Sequence, residues 1–392
     1  MSGLFAAAFL RRIGWDVDVY ERSPVELVGR GAGITSHPEL LDALESCGAG
    51  TRNLGVEVTK RIAIDRAGRV IGERLLRQIL TSWDRLQSLL RETVDPAHYH
   101  LGQTFAGVEQ EGSGVSVHFA DGRIEHADLL VGGDGIRSGV RSAVAPEVQP
   151  CYAGYYIWRG APNEADLSRE TLESIFSHFV FFLPERQQVI GYPIAGLHDD
   201  LRQGHRRYNF IWYRVADARE LEAMCIDENG RRHEFSVPPP LVRKDLIARM
   251  RSDAEAIMPS AFLDCLRHIA RPFFTPIYDF ASPRIVIGRV ALVGDAAATA
   301  RPHMGFGVAK AGGDAQALAD ALRDRDDIDA ALAQYDAVRQ PMGERIMLHG
   351  RKLGTHLGVD LRTEEDRRMS ALLQDRGALM DWIAVPHFLA QT

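Results

Sequence analysis

Residues 288–322, GRVALVGDAAATARPHMGFGVAKAGGDAQALADAL, decide the fold of this chain. The apolar run 290–293 is short and ends at Gly294 and Asp295, as a buried parallel strand does when it enters a turn. From Gly305 onward, helix-forming residues alternate with small ones, which predicts a long helix. The N–H groups at the start of such a helix suit an electron-rich ligand. The stretch therefore predicts a strand, a ligand-binding turn and a helix, and it makes an enzyme the leading hypothesis.

The composition is typical of a folded protein that acts on small molecules. The chain has 392 residues, 45% of them hydrophobic, so two domains with a C-terminal appendage are expected. Basic residues are scattered among acidic ones and the net charge is −7, which argues against a nucleic-acid surface. The sequence has neither an apolar stretch of the roughly 20 residues that span a bilayer nor a signal-peptide pattern, so a cytoplasmic protein without a membrane partner is expected. Its four cysteines are far apart and lack metal-ligand spacing, so no metal site is expected.

The first 21 residues have the pattern of half a dinucleotide-binding unit. Helix-forming residues up to Arg12 are followed by Gly14 and by a strand-like stretch that ends at Glu21. In such a unit the first strand ends in Gly-x-Gly-x-x-Gly, and an acidic residue about 20 positions further on binds the ribose hydroxyls. Only Gly3 can be the last of these glycines, so we expect a Rossmann-like domain that begins in mid-motif. The alternative is an ordinary helix and strand.

Residues 152–215 have the composition of a sheet rich in aromatic residues. Before them, residues 129–137 form a second apolar run that enters a Gly-Asp-Gly turn. Side chains in the run 207–215 alternate between two faces, so one set could line a pocket and the other a core. One face carries Tyr208, Phe210 and Trp212, and the other carries Asn209, Ile211 and Tyr213.

Two motifs resemble those of the single-component FAD-dependent aromatic hydroxylases, which have the para-hydroxybenzoate hydroxylase fold. Residues 130–141, LVGGDGIRSGVR, resemble the Asp-Gly motif of that family, and residues 289–307, RVALVGDAAATARPHMGFG, resemble its Gly-Asp motif. Two such motifs about 160 positions apart, with Glu21 upstream, are far more specific than a single glycine pattern. The resemblance covers nearly the whole chain.

The resemblance implies an α/β fold with three parts. A Rossmann-like FAD-binding domain, truncated at its N-terminus, is expected from residues 1–70, 95–150 and 280–325. An inserted, mainly antiparallel β-sheet that holds the substrate is expected from residues 71–94 and 151–279. Residues 326–392 are expected to form a C-terminal helical region that packs on the first domain or on a second subunit, which would make a homodimer.

By the family pattern, Glu21 binds the adenosine ribose, and Arg22 lies beside the adenine or the pyrophosphate. Asp295 is expected to accept hydrogen bonds from hydroxyls of the ribityl chain or next to the pyrophosphate. Residues 302–307 are expected to place N–H groups at the pyrimidine edge of the flavin, where reduction adds negative charge. The full set of expected FAD-binding residues is Gly3, Glu21, Arg22, Gly33, Ile34, Asp134, Gly135, Gly294, Asp295, Ala296, Pro302, Gly305, Phe306 and Gly307, with Gly31 in the same loop as Gly33.

The chain departs from the family pattern at two positions. Ala298 replaces a histidine that most relatives have, which leaves His303 as the histidine nearest the flavin in sequence. His303, with an ordinary pKa of about 6.5, is expected either to orient or deprotonate a substrate hydroxyl or only to cap a helix. An arginine that contacts the flavin in many relatives is either missing here or displaced to Arg85. The remaining candidates are Tyr192 and Tyr213 as catalytic residues and Arg159, an anion clamp, and Trp212 as substrate-binding residues.

The reaction implied by the family is hydroxylation of a hydroxylated aromatic or N-heteroaromatic ring, such as a hydroxypyridine. NADH or NADPH reduces the FAD, O2 adds to give a C4a-hydroperoxide, and the electron-rich ring attacks its distal oxygen; side chains cannot supply this chemistry. The expected partners are a small aromatic substrate, O2 and the nicotinamide co-substrate. The alternatives are an oxidoreductase, NAD(P)-dependent or flavin-dependent, that does not hydroxylate rings, and a truncated inactive product.

Overall fold

The computed structural model describes residues 1–27, 33–323 and 327–391. Its helices are α1 (Ser2–Arg12), α2 (Pro38–Cys47), α3 (Trp83–Arg91), α4 (Gly139–Val144), α5 (Arg169–Thr171), α6 (Ala218–Met224), α7 (Lys244–Ile257), α8 (Ser260–Arg267), α9 (Gly307–Leu322), α10 (Ile328–Gly354), α11 (Glu364–Leu372) and α12 (Arg376–Trp382). Its strands are β1 (Val19–Glu21), β2 (Gly33–Thr35), β3 (Val56–Ile64), β4 (Val70–Ser82), β5 (Tyr99–Leu101), β6 (Phe105–Glu111), β7 (Gly114–Phe119), β8 (Ile124–Ala127), β9 (Leu130–Gly132), β10 (Cys151–Gly160), β11 (Phe179–Phe182), β12 (Gln187–Ile194), β13 (Arg207–Val215), β14 (Phe273–Ala281), β15 (Val286–Ile287), β16 (Val290–Leu292) and β17 (Ala298–Thr299).

The largest sheet has nine strands in the order β17-β14-β10-β13-β12-β11-β3-β4-β2. Neighbouring strands are antiparallel except β11 and β3, which are parallel, so the expected mainly antiparallel sheet is confirmed. Strand β3 pairs with β4 in one hairpin of this sheet, so the predicted domain boundary at residue 70 falls at the turn of that hairpin. Both edge strands, β2 and β17, come from segments that the family pattern assigns to the FAD-binding part. The domain division stays a prediction.

Alternation along the strands gives the large sheet two different faces. On one face, Tyr155, Ile211 and Tyr213 belong to a core that also contains residues of α1 and α9. On the other face, Phe210 and Trp212 pack with residues of α7 and α8 in a second core. Residues 208–213 of β13 are therefore buried on both sides, which explains why five of these six side chains are aromatic or aliphatic.

Two short parallel strand pairs build the half that the sequence predicts to bind a nucleotide. Strand β1 pairs with β5, and β9 pairs with β16, while α1 packs on α9. Because β9 and β16 are parallel, the turns that follow them, at Gly133 and Gly294, lie at one edge of the sheet, where open α/β folds bind ligands. The strand, turn and helix predicted for residues 288–322 are confirmed as β16, a 3-10 turn at Gly294–Ala296, and α9. The helix and strand predicted for the first 21 residues are confirmed as α1 and β1.

Helices α10, α11 and α12 form the predicted C-terminal helical region. Helix α10 packs on α9, and the buried hydroxyl of Tyr335 donates to the carbonyl of Leu292 in β16 over 2.8 Å. Helix α12 contacts β4, and Arg345 of α10 donates to the carbonyl of Phe388 over 3.0 Å. The region thus packs on its own chain. None of the described helices combines the length and apolar character needed to cross a bilayer.

Replacing Trp212 by alanine is expected to lower the free energy of unfolding by about 3–5 kcal/mol, because its fully buried ring leaves a cavity in the second core. Urea-induced unfolding measures the loss. Leu75→Ala is the matched control, since Leu75 is 84% exposed and its replacement should change the free energy by about 0.5 kcal/mol or less. Equal losses in the two variants would contradict the placement of Trp212 in a core.

Candidate active site

The N-terminus of α1 closely approaches the turns after β9 and β16. A Cβ atom added at Gly133 would lie 2.7 Å from the backbone nitrogen of Gly3. At Gly294, which has φ +60°, an added Cβ atom would overlap the hydroxyl of Ser2. Glycine is required at both turns because the helix leaves no room for a side chain. The structure therefore brings Gly3 and Gly294 together, as the sequence predicts for a nucleotide site.

Two carboxylates predicted to bind FAD lie at this edge. Burial lowers the pKa of the Met1 amino group, and the negative charges of Glu21 and Asp295 oppose this change. Both carboxylates therefore lie near the start of α1. Burial raises the pKa of Asp295, with Asp314 adding to the effect and Lys310 opposing it. The Asp295 carboxylate accepts no hydrogen bond from any described residue, which leaves it free for sugar hydroxyls. One oxygen of Glu21 accepts the backbone N–H of Ser23 over 2.8 Å.

A buried charge network clamps the turn that presents Asp295. Lys310 donates to Asp314 over 2.6 Å and to the carbonyl of Gly294 over 2.8 Å, while the N–H of Gly294 donates to Asp314 over 2.9 Å. Arg339 of α10 donates to the other oxygen of Asp314 over 2.8 Å. Burial raises the pKa of Asp314, but the charges of Lys310 and Arg339 outweigh it, so the pKa is lowered and the group is ionised. Sequence reasoning did not single out Asp314; its spacing of four from Lys310 on a helix was the available signal.

The Asp-Gly motif after β9 is tied to the same turn. Asp134 accepts hydrogen bonds from the hydroxyl of Ser138, the N-cap of α4, and from the N–H of Val140 in the first turn of that helix. Gly135 has φ +82° and no atom within 4 Å of an added Cβ. The buried Arg141, which sequence reasoning also missed, donates to the carbonyl of Ala296 over 3.2 Å and so links the two motifs. Both turns therefore have a fixed relative position.

Residues 302–307 form a loop that ends at the start of α9. Gly305 has φ +62°, and an added Cβ atom would lie 3.2 Å from Thr35 of β2. The carbonyl of Met304 is hydrogen-bonded to the ring of His37 over 2.9 Å. At Gly307 an added Cβ would meet nothing within 4 Å, and α9 has no side-chain cap among the described residues. The first N–H groups of α9 can therefore face a ligand with negative charge, as predicted for the flavin edge.

The family pattern also places Pro302 and Phe306 in this loop at the flavin. Pro302 begins a 3-10 turn, and Phe306 is buried with its ring 5.1 Å from that of Phe388. Phe306 thus anchors the loop to the C-terminal region. Contact of these two side chains with the flavin stays a prediction.

Strand β2 crosses over two polar residues of the large sheet. The N–H of Gly33 donates to Asn209 over 3.1 Å, and an added Cβ at Gly33 would lie 2.5 Å from the ring of Tyr192. Glycine is needed here because any side chain would displace these residues. Ile34 follows in the same strand, and Gly31 lies outside the described residues.

Two arginines near the predicted FAD site have other surroundings. Arg22 is exposed and lies near Arg137, whose pKa is lowered by burial and by the charge of Arg22. Arg85 forms an ion pair with Asp199 at 3.4 Å and donates to the carbonyl of Arg52. Arg85, the candidate for the arginine that contacts the flavin in relatives, thus binds Asp199 and Arg52 in this chain.

His303 lies buried in a group of aromatic side chains. Its Nε2 atom is hydrogen-bonded to the hydroxyl of Tyr155 over 2.7 Å, and its ring stacks on that of Tyr213 with centroids 4.9 Å apart. The ring of His356 meets it edge-on at 5.2 Å. Burial, with the charges of His356 and Arg301, lowers the pKa of His303 well below 6.5, so the ring is neutral. Its Nδ1 atom is buried and has no partner among the described residues, and the ring does not bond to helix backbone.

The substrate candidates divide between the two faces of the sheet. Arg159, Tyr192 and Tyr213 share one face, and the charge of Arg159 opposes the rise in the pKa of both tyrosines that burial causes. Arg159 has no hydrogen-bond or ion-pair partner among the described residues. Trp212 points to the opposite face, where its indole N–H donates to Gln187 over 2.8 Å. Trp212 thus lies on the face opposite Arg159, Tyr192 and Tyr213, because side chains adjacent in a strand face opposite sides, and its contact with substrate stays a prediction.

This chain is similar to known proteins in sequence and in structure. The family described as FAD binding domain-like matches residues 152–279. A 2,6-dihydroxypyridine 3-monooxygenase of Paenarthrobacter nicotinovorans is 32% identical over 359 residues, which cover 91% of this chain and 89% of that enzyme. The chain belongs to the FAD-dependent aromatic hydroxylases. The solved structure of 2,6-dihydroxypyridine-3-hydroxylase from Arthrobacter nicotinovorans superposes on this hydroxylase with a TM-score of 0.85 and covers 91% of this chain and 90% of that one.

A more distant structure shows the fold alone. HpxO from Klebsiella pneumoniae, solved with FAD and uric acid, has a TM-score of 0.75 at 23% identity and covers 98% of this chain and 94% of that one. The α/β fold and the use of FAD by this hydroxylase are therefore confirmed, with NADH or NADPH as the co-substrate typical of the family.

The residues present fit FAD. Added Cβ atoms at Gly3, Gly135 and Gly307 would meet open space, so a ligand can approach the backbone at all three. The unbonded carboxylate of Asp295 suits sugar hydroxyls, and the uncapped start of α9 suits a group that gains negative charge. Buried polar atoms without partners among the described residues include Asn209 Nδ2, Gln188 Nε2, Arg301 Nη1, His303 Nδ1 and His356 Nε2, and others, such as Trp158 Nε1 and Tyr208 Oη, lie in the second core.

Asp314→Asn is expected to weaken FAD binding at least about tenfold and to lower the free energy of unfolding by about 3–5 kcal/mol, because the buried Lys310 loses its ion-pair partner. Titration of the apoprotein with FAD and urea unfolding measure the two effects. Asp320→Asn is the control: Asp320 is on the same helix but pairs with Arg323 at the surface, so a change of about 0.5 kcal/mol or less is expected. Unchanged FAD affinity in Asp314→Asn would contradict the clamp.

The stability of the hydroxylase is expected to fall as the pH drops below about 6.5. Burial lowers the pKa of His37 to about 4 in the folded state, so the unfolded chain takes up a proton first and gains up to about 1.4 kcal/mol per pH unit. In His37→Gln the difference between the free energies of unfolding at pH 7 and pH 5 should shrink by about 2 kcal/mol. His126→Gln, at an exposed position, should leave the difference unchanged. The same difference in wild type and His37→Gln would rule out this source of acid sensitivity.

Proposed function

We propose that this hydroxylase acts on a small planar ring of the hydroxypyridine class, with NADH or NADPH and O2 as co-substrates. The observation that carries the proposal is the buried pair of His303 and Tyr155 beside the unpartnered cation Arg159, on the face of the sheet next to the loop 302–307. Names of relatives support a hydroxylated N-heteroaromatic ring, since a 2,6-dihydroxypyridine 3-monooxygenase and an FAD-dependent urate hydroxylase both match most of this chain.

Arg159 and Tyr213 are proposed to bind the ring through its charge and its flat face. A hydroxypyridine gains negative charge on oxygen when its hydroxyl loses a proton, and a guanidinium with free donors stabilises that charge. The ring of Tyr213 offers an apolar surface for stacking. Tyr192, fixed between Gly33 and Phe179, is proposed to close the side of the site nearest β2.

His303 is proposed to remove the proton from the substrate hydroxyl. In the tautomer that carries hydrogen on Nε2, the ring donates to the oxygen of Tyr155, and the free lone pair on Nδ1 can accept the proton. Burial keeps the ring neutral at neutral pH, so the lone pair on Nδ1 is free. Because burial also weakens the ring as a base, the proton transfer is proposed to depend on Arg159, which stabilises the substrate anion that forms. When FAD is bound, it supplies the activation of oxygen; the side chains hold the ring, move this proton and exclude water.

The test uses purified holoenzyme and measures NADH and NADPH oxidation, product and hydrogen peroxide with a panel of hydroxypyridines and hydroxybenzoates. A hydroxypyridine should stimulate oxidation and yield hydroxylated product. His303→Asn should lower kcat about 100-fold with little change in KM, as loss of a general base does. Trp212→Phe is the control and should keep wild-type kinetics. If no aromatic compound stimulates oxidation, or if all electrons end in hydrogen peroxide, the hydroxylase reaction is excluded for this panel's class and a simple flavin oxidoreductase is favoured.

The homodimer expected from the sequence stays a prediction, and light scattering of the purified protein decides it.

A further inference from the structure

Arg61, in strand β3, is a fully buried arginine without a carboxylate partner among the described residues. Its guanidinium donates to the carbonyls of Met380 and Ile383, each over 2.6 Å, and to the carbonyl of Ala384 over 3.2 Å. Its remaining donors bond to the side-chain oxygen of Gln78. Three backbone carbonyls at the end of α12 are thus gathered by one cation, which complements the negative end of a helix.

The position of Arg61 has a cost that calls for an explanation. Removing a guanidinium from water is unfavourable, and burial lowers the pKa of Arg61 to about 9, which still leaves it charged at neutral pH. An apolar side chain would fill the same place without this penalty. What the arginine provides instead is a defined geometry, since its planar fork of donors fixes the direction of each carbonyl that it binds.

Ala384 connects this site to the predicted flavin loop. Its carbonyl accepts from Arg61 and also from Gln78 over 3.1 Å, while its N–H donates to the carbonyl of His303 over 2.7 Å. Ala384 has φ +55°, a left-handed conformation that is unfavourable for alanine and is maintained here by bonds on both sides. The carbonyl of His303 is thereby held from behind the loop.

The bond to the carbonyl of His303 also fixes the next N–H group of the chain. The carbonyl and the N–H of a trans peptide point in opposite directions, so fixing the carbonyl of His303 fixes the N–H of Met304. On the other side of the loop, His37 holds the carbonyl of Met304. Two hydrogen bonds thus hold carbonyls of the loop 302–307, one from His37 and one from Ala384. They add to the ring contact of Phe306 with Phe388 and to the bond of His303 with Tyr155.

We infer that Arg61 is a positioning residue for hydroxylation: through Ala384 it orients the loop that carries His303 and the N–H groups facing the flavin. The inference rests on the proposed role of that loop. Arg61 makes no contact with His303 and acts on the loop by holding the segment 380–384 in place. Its guanidinium also lies over the ring of Phe179, 4.9 Å from the centroid, and Phe179 stacks on Tyr192. Loss of this hold misplaces the loop by a small distance, and the reducing equivalents then escape to hydrogen peroxide.

The test compares Arg61→Met and Arg61→Lys with wild type as holoenzymes. Lysine keeps the charge but concentrates its donors on one atom, so it cannot bind four acceptors and should not rescue. Hydrogen exchange of peptides covering residues 303–307 and 380–388 should become at least about tenfold faster in both variants. The ratio of hydrogen peroxide to hydroxylated product should rise at least about threefold, while the KM for the aromatic substrate changes less.

Arg74→Met is the matched control. Arg74 lies in the partner strand of the same hairpin and pairs with Asp381 of α12 at 2.9 Å, but this contact is at the surface. Both exchange and product ratio should stay at wild-type values in this variant. Equal effects of Arg74→Met and Arg61→Met would show that any contact with α12 suffices and would overturn the specific role of Arg61.

The other possible outcomes of these measurements also support or overturn the inference. Faster exchange with an unchanged product ratio makes Arg61 a structural residue only and overturns the inference. If the Arg61 variants do not retain FAD, Gln78→Leu replaces them, since it removes one donor to Ala384 and one acceptor of Arg61; unchanged exchange at 380–388 in that variant overturns the inference. If wild type forms no hydroxylated product, the proposed function fails, while the exchange data still test the connection from Arg61 to His303.

Discussion

The cofactor turn depends on one buried carboxylate, that of Asp314. It accepts the N–H of Gly294 and two cations, so it joins the turn after β16 to α9 and α10. The positive charges of Lys310 and Arg339 offset the charge of Asp314, and the charge of Lys310 also opposes the rise in the pKa of Asp295 that burial causes. The balance makes it possible to bury them together, because an unpaired charge in this place would cost several kcal/mol. The network thus fixes the turn that carries Asp295, while the side-chain oxygens of Asp295 accept none of its hydrogen bonds.

The sequence was sufficient where local patterns have one structural solution. The apolar run 290–293, followed by Gly294 and a helix of small residues, could only be a strand, a turn and a helix. Alternation also separated Trp212 from Tyr213, but it could not tell which face held the site, because helices cover the sheet on both sides. The sequence could not predict the long-range contacts. Arg61 binds carbonyls that are 319 and 322 positions away, and no rule of sequence spacing predicts such a contact. The expected boundary at residue 70 separates β3 from β4 for a similar reason, because composition does not show that the two strands pair.

His303 illustrates how burial changes the chemistry of a residue that sequence alone ranks by its ordinary pKa. A histidine with a pKa of about 6.5 would be partly charged at neutral pH, and its titration would govern activity. Enclosed by Tyr155, Tyr213 and His356, the ring is instead neutral throughout the physiological range. Its pKa then matters less than the direction of its free nitrogen, which is set by the loop 302–307.

The two edge strands of the large sheet, β2 and β17, belong to the predicted flavin segments, whereas its centre carries the predicted ring site. Cofactor and substrate regions therefore share one continuous set of backbone hydrogen bonds instead of meeting across a hinge. Such a sheet is expected to unfold as one cooperative unit. A substitution that weakens the core on its outer face would then also weaken the retention of the flavin, without any change in the residues predicted to contact it.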